Sequence, residues 1–326
     1  MKELVLGIDI GGTNTKFGFV DKEGNVFGES SSPTWGYPEF DDYLAQLHKQ
    51  IDAAKAFIGF ETKVVGVGIG APNGNYYKGT IEEASNLEWQ GTVHFVDKIK
   101  KYFPDQPIVL TNDANAAAIG EMTFGVAKGM KDFIVFTLGT GLGSGIVANG
   151  ELIYGHDGFA GEIGHTIVNP NGRWCGCGRK GCLETYVSAT GIKRTVYKLL
   201  ADYTEDSSLR SVAFDQLSGK MITKAAFEGD FIAKQAFEHT GRMLGLKLAD
   251  TVAHFSPEAI ILFGGLVNAG DHLMTPTRRY MEENMLNIYK GKVKLLISGL
   301  QDKNAAVLGA SSLAWQAIAD KNKGLS

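Results

Sequence analysis

The chain has very little cysteine, and all of it is confined to one place. Three residues of 326 are Cys, at positions 175, 177 and 182. A disulfide would use two and strand the third, and a C-x-C bridge is strained. No apolar run reaches membrane-spanning length. The N-terminus MKELVLGIDIGG has a five-residue apolar stretch before Asp9, too short for a signal peptide. With clustered thiols and no secretion signal, a reducing, cytoplasmic setting is expected. Basic charge is not in excess either. The net charge is −4 and the Lys and Arg residues are dispersed, which argues against a nucleic-acid partner or a membrane partner. No linker or low-complexity tail is evident. What is present is 44 % hydrophobic residues over 326 positions, ample for a core and suggestive of about two domains.

The cysteines fall in the stretch 160–184, AGEIGHTIVNPNGRWCGCGRKGCLE. Thiolates are soft ligands and imidazole a borderline one, so three Cys and one His suit tetrahedral zinc. His165 lies ten positions before Cys175, across a loop rich in Asn, Pro and Gly that can fold back. Four protein ligands leave no open position, so the expected zinc is structural. Glu162 and Glu184 flank the proposed ligands and would be held in place by the metal. Solvated loop acids are the plain alternative.

Elsewhere the chain reads as α/β. Residues 4–10 form an apolar strand containing Asp9, followed by Gly11-Gly12-Thr13-Asn14 and a second strand from Lys16. A dinucleotide fingerprint needs a helix after its glycines, so that reading fails here. A Gly-Gly-Thr turn between strands can still present N–H groups to phosphate oxygens. Residues 40–58 have helical periodicity, 63–69 form a strand, and 73–91 form a long polar loop with Asn86, Trp89, Tyr76 and Tyr77. Thr92 is expected to cap a helix running to Phe103. A strand then delivers Asn112 and Asp113 to its C-terminal end, ahead of an Ala-rich helix. Open α/β sheets gather ligands at that edge, and Asp is also a preferred N-cap; both roles can hold. Residues 133–138, the turn Gly139-Thr140-Gly141, and a further strand repeat the opening architecture. Two such turns facing each other could bracket a polyphosphate. Residues 185–255 read as helical with a break near Ser207 and Gly219. A strand ending at Gly264-Gly265 allows close approach to a flat ligand. A helix over 271–289, a strand over 292–297 and a last helix over 304–319 complete the chain. The remaining histidines have no partners at metal spacing.

These residues together resemble the ROK family (repressors, open reading frames and kinases), within the actin/hexokinase-like superfamily. The resemblance is carried by Asp9-Ile10-Gly11-Gly12-Thr13, Asn112-Asp113, Leu138-Gly139-Thr140-Gly141, Glu162-Ile163-Gly164-His165 with the C-x-C-x4-C-x-E segment, and Gly264-Gly265. It implies a two-domain actin-like ATPase (ribonuclease H-like) α/β fold with an interdomain cleft and a zinc-bearing loop. The smaller domain would comprise 1–117 plus a returning helix in 305–326, and the larger 118–304. The implied activity is ATP-dependent phosphorylation of the 6-hydroxyl of a hexose. Asp113 would be the base, and Asn86, Asn112, Glu162, His165 and Glu184 would hold sugar hydroxyls. Asp9, Gly11, Gly12, Thr13, Asn14, Lys16, Thr137, Gly139, Thr140, Gly141, Gly264 and Gly265 would serve the nucleotide and its phosphates. Asp9 would also hold Mg2+ through water, His165, Cys175, Cys177 and Cys182 would hold zinc, and the protein would be a homodimer.

Glucose is the expected sugar, because carboxylates and asparagines suit a continuous ring of hydroxyls. N-acetylglucosamine and N-acetylmannosamine are the rivals, with Tyr76, Tyr77 or Trp89 as the wall for an acetamide or as simple loop packing. One departure from the family is Pro72-Asn73, where Pro-Gly is common. A non-catalytic, sugar-sensing ROK regulator is the alternative of another class. The start of the first strand at Leu4 leaves no room for the helix-turn-helix of such regulators, and Asn112-Asp113 favours catalysis.

Overall fold

A computed structural model describes residues 1–84, 86–300 and 305–322. In chain order the strands and helices are β1 (Lys2–Ile10), β2 (Asn14–Val20), β3 (Val26–Pro33), α1 (Phe40–Ala56), β4 (Thr62–Gly70), β5 (Gly74–Asn75), β6 (Thr80–Glu82), β7 (Thr92–Val93), α2 (Phe95–Ile99), β8 (Ile108–Thr111) and α3 (Asp113–Phe124). They continue as β9 (Phe133–Leu138), β10 (Leu142–Ala148), β11 (Glu151–Leu152), α4 (Ala189–Asp202), α5 (Gly219–Phe227), α6 (Phe231–Phe255), β12 (Ala259–Phe263), α7 (Asp271–Asn284), β13 (Lys294–Ile297) and α8 (Ala305–Asn322). Two compact units result. One contains Met1–Gly129, Leu152–Ala160 and Gly299–Ser326; the other contains Met130–Glu151 and Gly161–Ser298. The expected boundary after residue 117 falls inside α3.

In the first unit the sheet order is β3-β2-β1-β4-β8. β1 pairs antiparallel with β2 and parallel with β4, and β4 pairs parallel with β8. Strand β1 is central, so its run from Leu4 to Ile8 is buried on both faces, which explains continuous rather than alternating hydrophobicity. Helix α1 buries Phe40, Tyr43, Leu44, Leu47 and Ile51 at helical spacing against this sheet's core. The Val-Gly alternation of β4 admits α8: a side chain at Gly68 would run into the Ala310 carbonyl. Helix α8 packs on β1, β4 and α3, so the last helix joins the first unit. Asn304, expected to open it, and residues 323–326 of the expected smaller domain lie outside the described residues.

The long polar loop is more ordered than its composition suggests. β5, β6 and β7 form a small antiparallel sheet within it. Thr92 therefore does not cap a helix. It pairs with Glu82, Val93 pairs with Ile81, and α2 covers only Phe95–Ile99; strand pairing of two β-branched residues outweighs the capping preference. Asn73 sits at φ 50°, a left-handed conformation that Asn tolerates nearly as Gly does. Its Nδ2 also donates to the carbonyls of Glu82 and Glu83 (2.9 and 3.1 Å), so Pro72-Asn73 keeps the Pro-Gly bend and adds a tie. Trp89 is only 6 % exposed. It packs against Phe40 and Tyr43 and donates to the Tyr37 carbonyl. Tyr76 stacks on Tyr154 with ring centroids 4.0 Å apart. Of the three loop aromatics, Trp89 belongs to the core.

In the second unit the sheet order is β11-β10-β9-β12-β13, with β11 at the edge where the chain passes back to the first unit. β9 and β10 are antiparallel, and β9, β12 and β13 run parallel. This matches the first sheet's plan of a meander followed by two parallel strands, so the architectural repeat read from the two Gly-Thr turns is present. Helices α4, α5 and α6 begin at side-chain caps from Ser188, Ser218 and Asp230. The stretch 203–218 separates α4 from α5, and α7 stops at Asn284, earlier than expected, because Met285 is extended. Among the described residues no helix is long and apolar enough to cross a membrane.

Candidate active site and metal centre

β1 delivers Asp9 near its end, opposite Lys16 of β2 and Gly70 of β4. The Gly11 N–H donates to the Asn14 carbonyl (3.1 Å) and closes the turn that follows. A side chain at Gly12 would lie 2.9 Å from the Asn86 carbonyl oxygen, so the glycine brings Asn86 against the turn. Thr13, Asn14, Lys16 and Asn86 are exposed. Behind the turn, a buried hydroxyl chain links Thr15 to Tyr43 (2.7 Å) and to Thr34 (3.0 Å). Nothing along the chain signals this support, since isolated Thr and Tyr residues look ordinary.

At the end of β8 the two roles proposed for Asp113 separate. The N-cap of α3 is Asn112, whose side chain accepts from the Asn115 N–H at 2.6 Å. Asp113 is the first helical residue, and its Oδ1 accepts from the Ala114 N–H at 2.8 Å. Capping is thus carried by the neighbour, and the Asp113 side chain stays exposed to solvent. Protein crowding nevertheless desolvates its carboxyl and raises its pKa, against hydrogen bonds from the Ala114 and Asp113 N–H groups. Asp9 is close by: a side chain at Gly70 would sit 3.7 Å from both Asp9 Oδ1 and Asp113 Cα. Burial, and then the charge of Asp113, push the Asp9 carboxyl up to about 7, while Lys16 pulls it down. Two desolvated carboxylates in one place are a natural seat for a cation or a shared proton.

The second unit carries its own turn. The Thr137 hydroxyl accepts from the Gly143 N–H (3.2 Å), and the Gly139 N–H donates to the Gly141 carbonyl (3.1 Å). Gly139 and Thr140 are exposed. Gly264, at φ 109°, lies against this turn: a side chain there would be 2.7 Å from the Leu138 carbonyl oxygen. Gly265 follows and opens the short helical turn Gly265–Ala269.

The metal segment folds as its ligands require. The ligand atoms of His165, Cys175, Cys177 and Cys182 all lie within 4.8 Å of one another. Cys177 and Cys182 have their sulfurs 3.6 Å apart, and Cys175 Sγ is 3.6 Å from His165 Nδ1. A disulfide needs about 2.05 Å, so these are thiols. Tetrahedral zinc, with Zn–S about 2.3 Å and Zn–N about 2.0 Å, would set sulfurs about 3.8 Å apart and sulfur to nitrogen about 3.5 Å. The four donors therefore fit zinc, with Nδ1 as the histidine donor. Hydrogen bonds prearrange them. The Cys175 N–H donates to the Arg179 carbonyl, the Gly178 N–H to the Cys175 carbonyl, and the Gly181 N–H to the Arg173 carbonyl (2.9, 3.1 and 2.8 Å). Desolvation pushes the Cys175 thiol up to about 12. It also acts on Cys177, but hydrogen bonds from Arg179 bring that thiol down to about 6.

Glu162 heads the 3-10 turn Ile163–His165 with an exposed side chain, and Glu184 sits in the turn Leu183–Thr185. Glu184 Oε2 accepts from the Leu142 N–H (3.0 Å), and Oε1 lies 3.7 Å from Cys175 Sγ. It is therefore a held carboxylate, not a solvated loop acid. Arg173 went unremarked in the sequence. Its guanidinium donates to the carbonyls of Thr185 and Gly191 and to Thr195 Oγ1 (2.8, 2.9 and 3.0 Å), and lies over the Tyr186 ring. Its place two residues before Cys175, directly after the Asn-Pro-Asn-Gly turn, was the available signal.

Comparison with known proteins agrees with this geometry. The chain is 35 % identical over 317 residues to a glucokinase of Streptomyces coelicolor, covering 95 % of this chain and 97 % of that one. Its fold is similar to that of a ROK family glucokinase from Streptomyces griseus in complex with glucose and AMPPNP, with a TM-score of 0.82, 34 % identity, and 96 % and 99 % of the two chains covered. It is also similar to a ROK family transcriptional regulator, a homologue of the E. coli MLC protein, with a TM-score of 0.87, 26 % identity, and 100 % and 80 % covered. The actin-like α/β fold expected from the sequence is the fold observed. The model of the ROK family matches residues 5–317, and the chain belongs to the ROK family.

Proposed function

We propose that the protein is an ATP-dependent hexose kinase that phosphorylates the 6-hydroxyl of glucose. The observation that carries this reading is Asp113. Its carboxylate is at the head of α3, relieved of capping by Asn112, exposed, and raised in pKa by desolvation. A general base works best with a pKa near the operating pH. Asp113 takes the proton of the sugar hydroxyl as its oxygen bonds to the γ-phosphorus; the bond to ADP breaks and ADP carries the electron pair away. Asn86, Asn112, Glu162, His165 and Glu184 are assigned to the sugar hydroxyls. With Nδ1 turned to the cysteines, His165 keeps Nε2 for a hydroxyl, and metal binding fixes its tautomer.

The turn at Gly11, Gly12, Thr13, Asn14 and Lys16 and the turn at Thr137, Gly139, Thr140 and Gly141 are assigned to the phosphates, and Gly264-Gly265 to the adenosine. Asp9 would hold magnesium through water; the ion supplies charge neutralisation on the transferring phosphoryl group. The zinc would be structural, and its thiolates suit a reducing, cytoplasmic compartment. Of the three aromatics that could wall an acetamide, Trp89 is withdrawn into the core, which leaves only Tyr76 and Tyr77 for an N-acetylhexosamine. Similarity to glucokinases along nearly the whole chain supports glucose.

The similarity to a ROK regulator favours a second reading, a sugar sensor without turnover. A coupled ADP-release assay with glucose, ATP and magnesium separates the two. Turnover dependent on glucose supports the kinase. Glucose binding by calorimetry with no ADP release would replace it with the sensor.

A further inference from the structure

Gly141 belongs to the second glycine turn, and a phosphate cradle by itself accounts for a glycine there, since backbone N–H groups must approach oxygens closely. The geometry at Gly141 adds a different demand. A side chain on Gly141 would lie 2.5 Å from Glu184 Oε2, the oxygen that accepts from the Leu142 N–H at 3.0 Å. The Glu184 carboxylate thus occupies the space that any other residue at 141 would fill. The Leu142–Glu184 hydrogen bond joins positions 42 residues apart. Local chain geometry does not create it.

We propose that Gly141 and the Leu142 N–H are positioning groups for Glu184, so that the second glycine turn sets hexose affinity even without nucleotide. This rests on the assignment of Glu184 to sugar hydroxyls. A glutamate side chain has three rotatable bonds, and fixing it costs conformational entropy. Anchoring one oxygen on a backbone N–H removes that cost before the sugar arrives and leaves further lone pairs to accept from hydroxyls. A methyl at 141 would push the carboxylate off the Leu142 N–H.

Titration calorimetry with glucose and no nucleotide tests the idea. Gly141→Ala, checked for full zinc content and a normal melt, should raise the glucose Kd at least about tenfold. A Kd within about twofold of wild type, with only the KM for ATP raised, would overturn the proposal. A second series leaves the turn untouched. The amide oxygen of Glu184→Gln still reaches the Leu142 N–H, whereas Glu184→Asp keeps the charge but is one methylene too short. Gln binding glucose better than Asp supports positioning by the turn, and the reverse order overturns it. Failure of the hexose assignment itself is distinguishable, because wild type would then bind no glucose, and the inference would fall with it.

Discussion

At the residue scale, the two carboxylates of the first unit differ in what they should do. Asp113→Asn keeps shape but cannot accept the proton, and Asn112 still caps α3. Turnover should fall at least about a hundredfold with glucose affinity little changed, read from steady-state rates and calorimetry. In wild type, kcat/KM should fall as the pH drops through the raised pKa of Asp113, because only the ionised carboxylate accepts a proton. Asp9 makes a stability statement. Burial raises its carboxyl to about 7, well above the ordinary carboxylate range. Its contribution to stability is therefore fully present below the unfolded value and lost as the pH rises through about 7. Asp9→Asn should be inactive yet more stable than wild type at alkaline pH in magnesium-free buffer, by roughly 4 kcal/mol. Denaturant melts should show the difference shrinking as the pH falls below neutrality; an unchanged difference would sink the account.

At the scale of elements, the metal segment is held twice. Cys177→Ser should lose the metal, measured by elemental analysis, and lower the melting temperature together, because binding and local folding are coupled. Arg173→Ala removes a different support. It leaves the Thr185 and Gly191 carbonyls without their guanidinium donor, an expected loss of roughly 2–4 kcal/mol by denaturant unfolding, with zinc retained. The cysteine cluster was plain in the sequence because soft ligands in an odd, close group have few other uses. Arg173 was not, because nothing in its neighbours says that its partners lie in α4 and the turn before it. The same limit applied to residues 73–91. Short strands of two or three residues have no periodicity to read, and Thr92 looked like a cap until its partner Glu82 was known.

At the scale of the whole molecule, the proposed kinase should discriminate among hexoses. At saturating ATP and magnesium, glucose should have the highest kcat/KM, N-acetylglucosamine and N-acetylmannosamine should be lower, and fructose poor. Glucose more than about tenfold below either N-acetylhexosamine, a gap of about 1.4 kcal/mol in transition-state binding, would reverse the assignment. The fold repeats one plan in two sheets, each presenting a Gly-Thr turn after its first strand. That repeat was legible because an apolar strand, a glycine turn and a second strand have the same local pattern wherever they occur.

The available chemistry is legible along the chain: a soft-ligand set for one metal, two glycine turns, and an Asn-Asp pair at a strand end. These are local facts, written in residue type and short spacing. Tertiary structure alone decided which of two adjacent residues caps α3 and which is left with a usable carboxylate. It decided that Trp89 belongs to the core. It also decided that the space at Gly141 is filled by the Glu184 carboxylate, which accepts from the Leu142 N–H 42 residues away from it. Each of these depends on distance through space between groups far apart in the chain, which composition and periodicity do not encode.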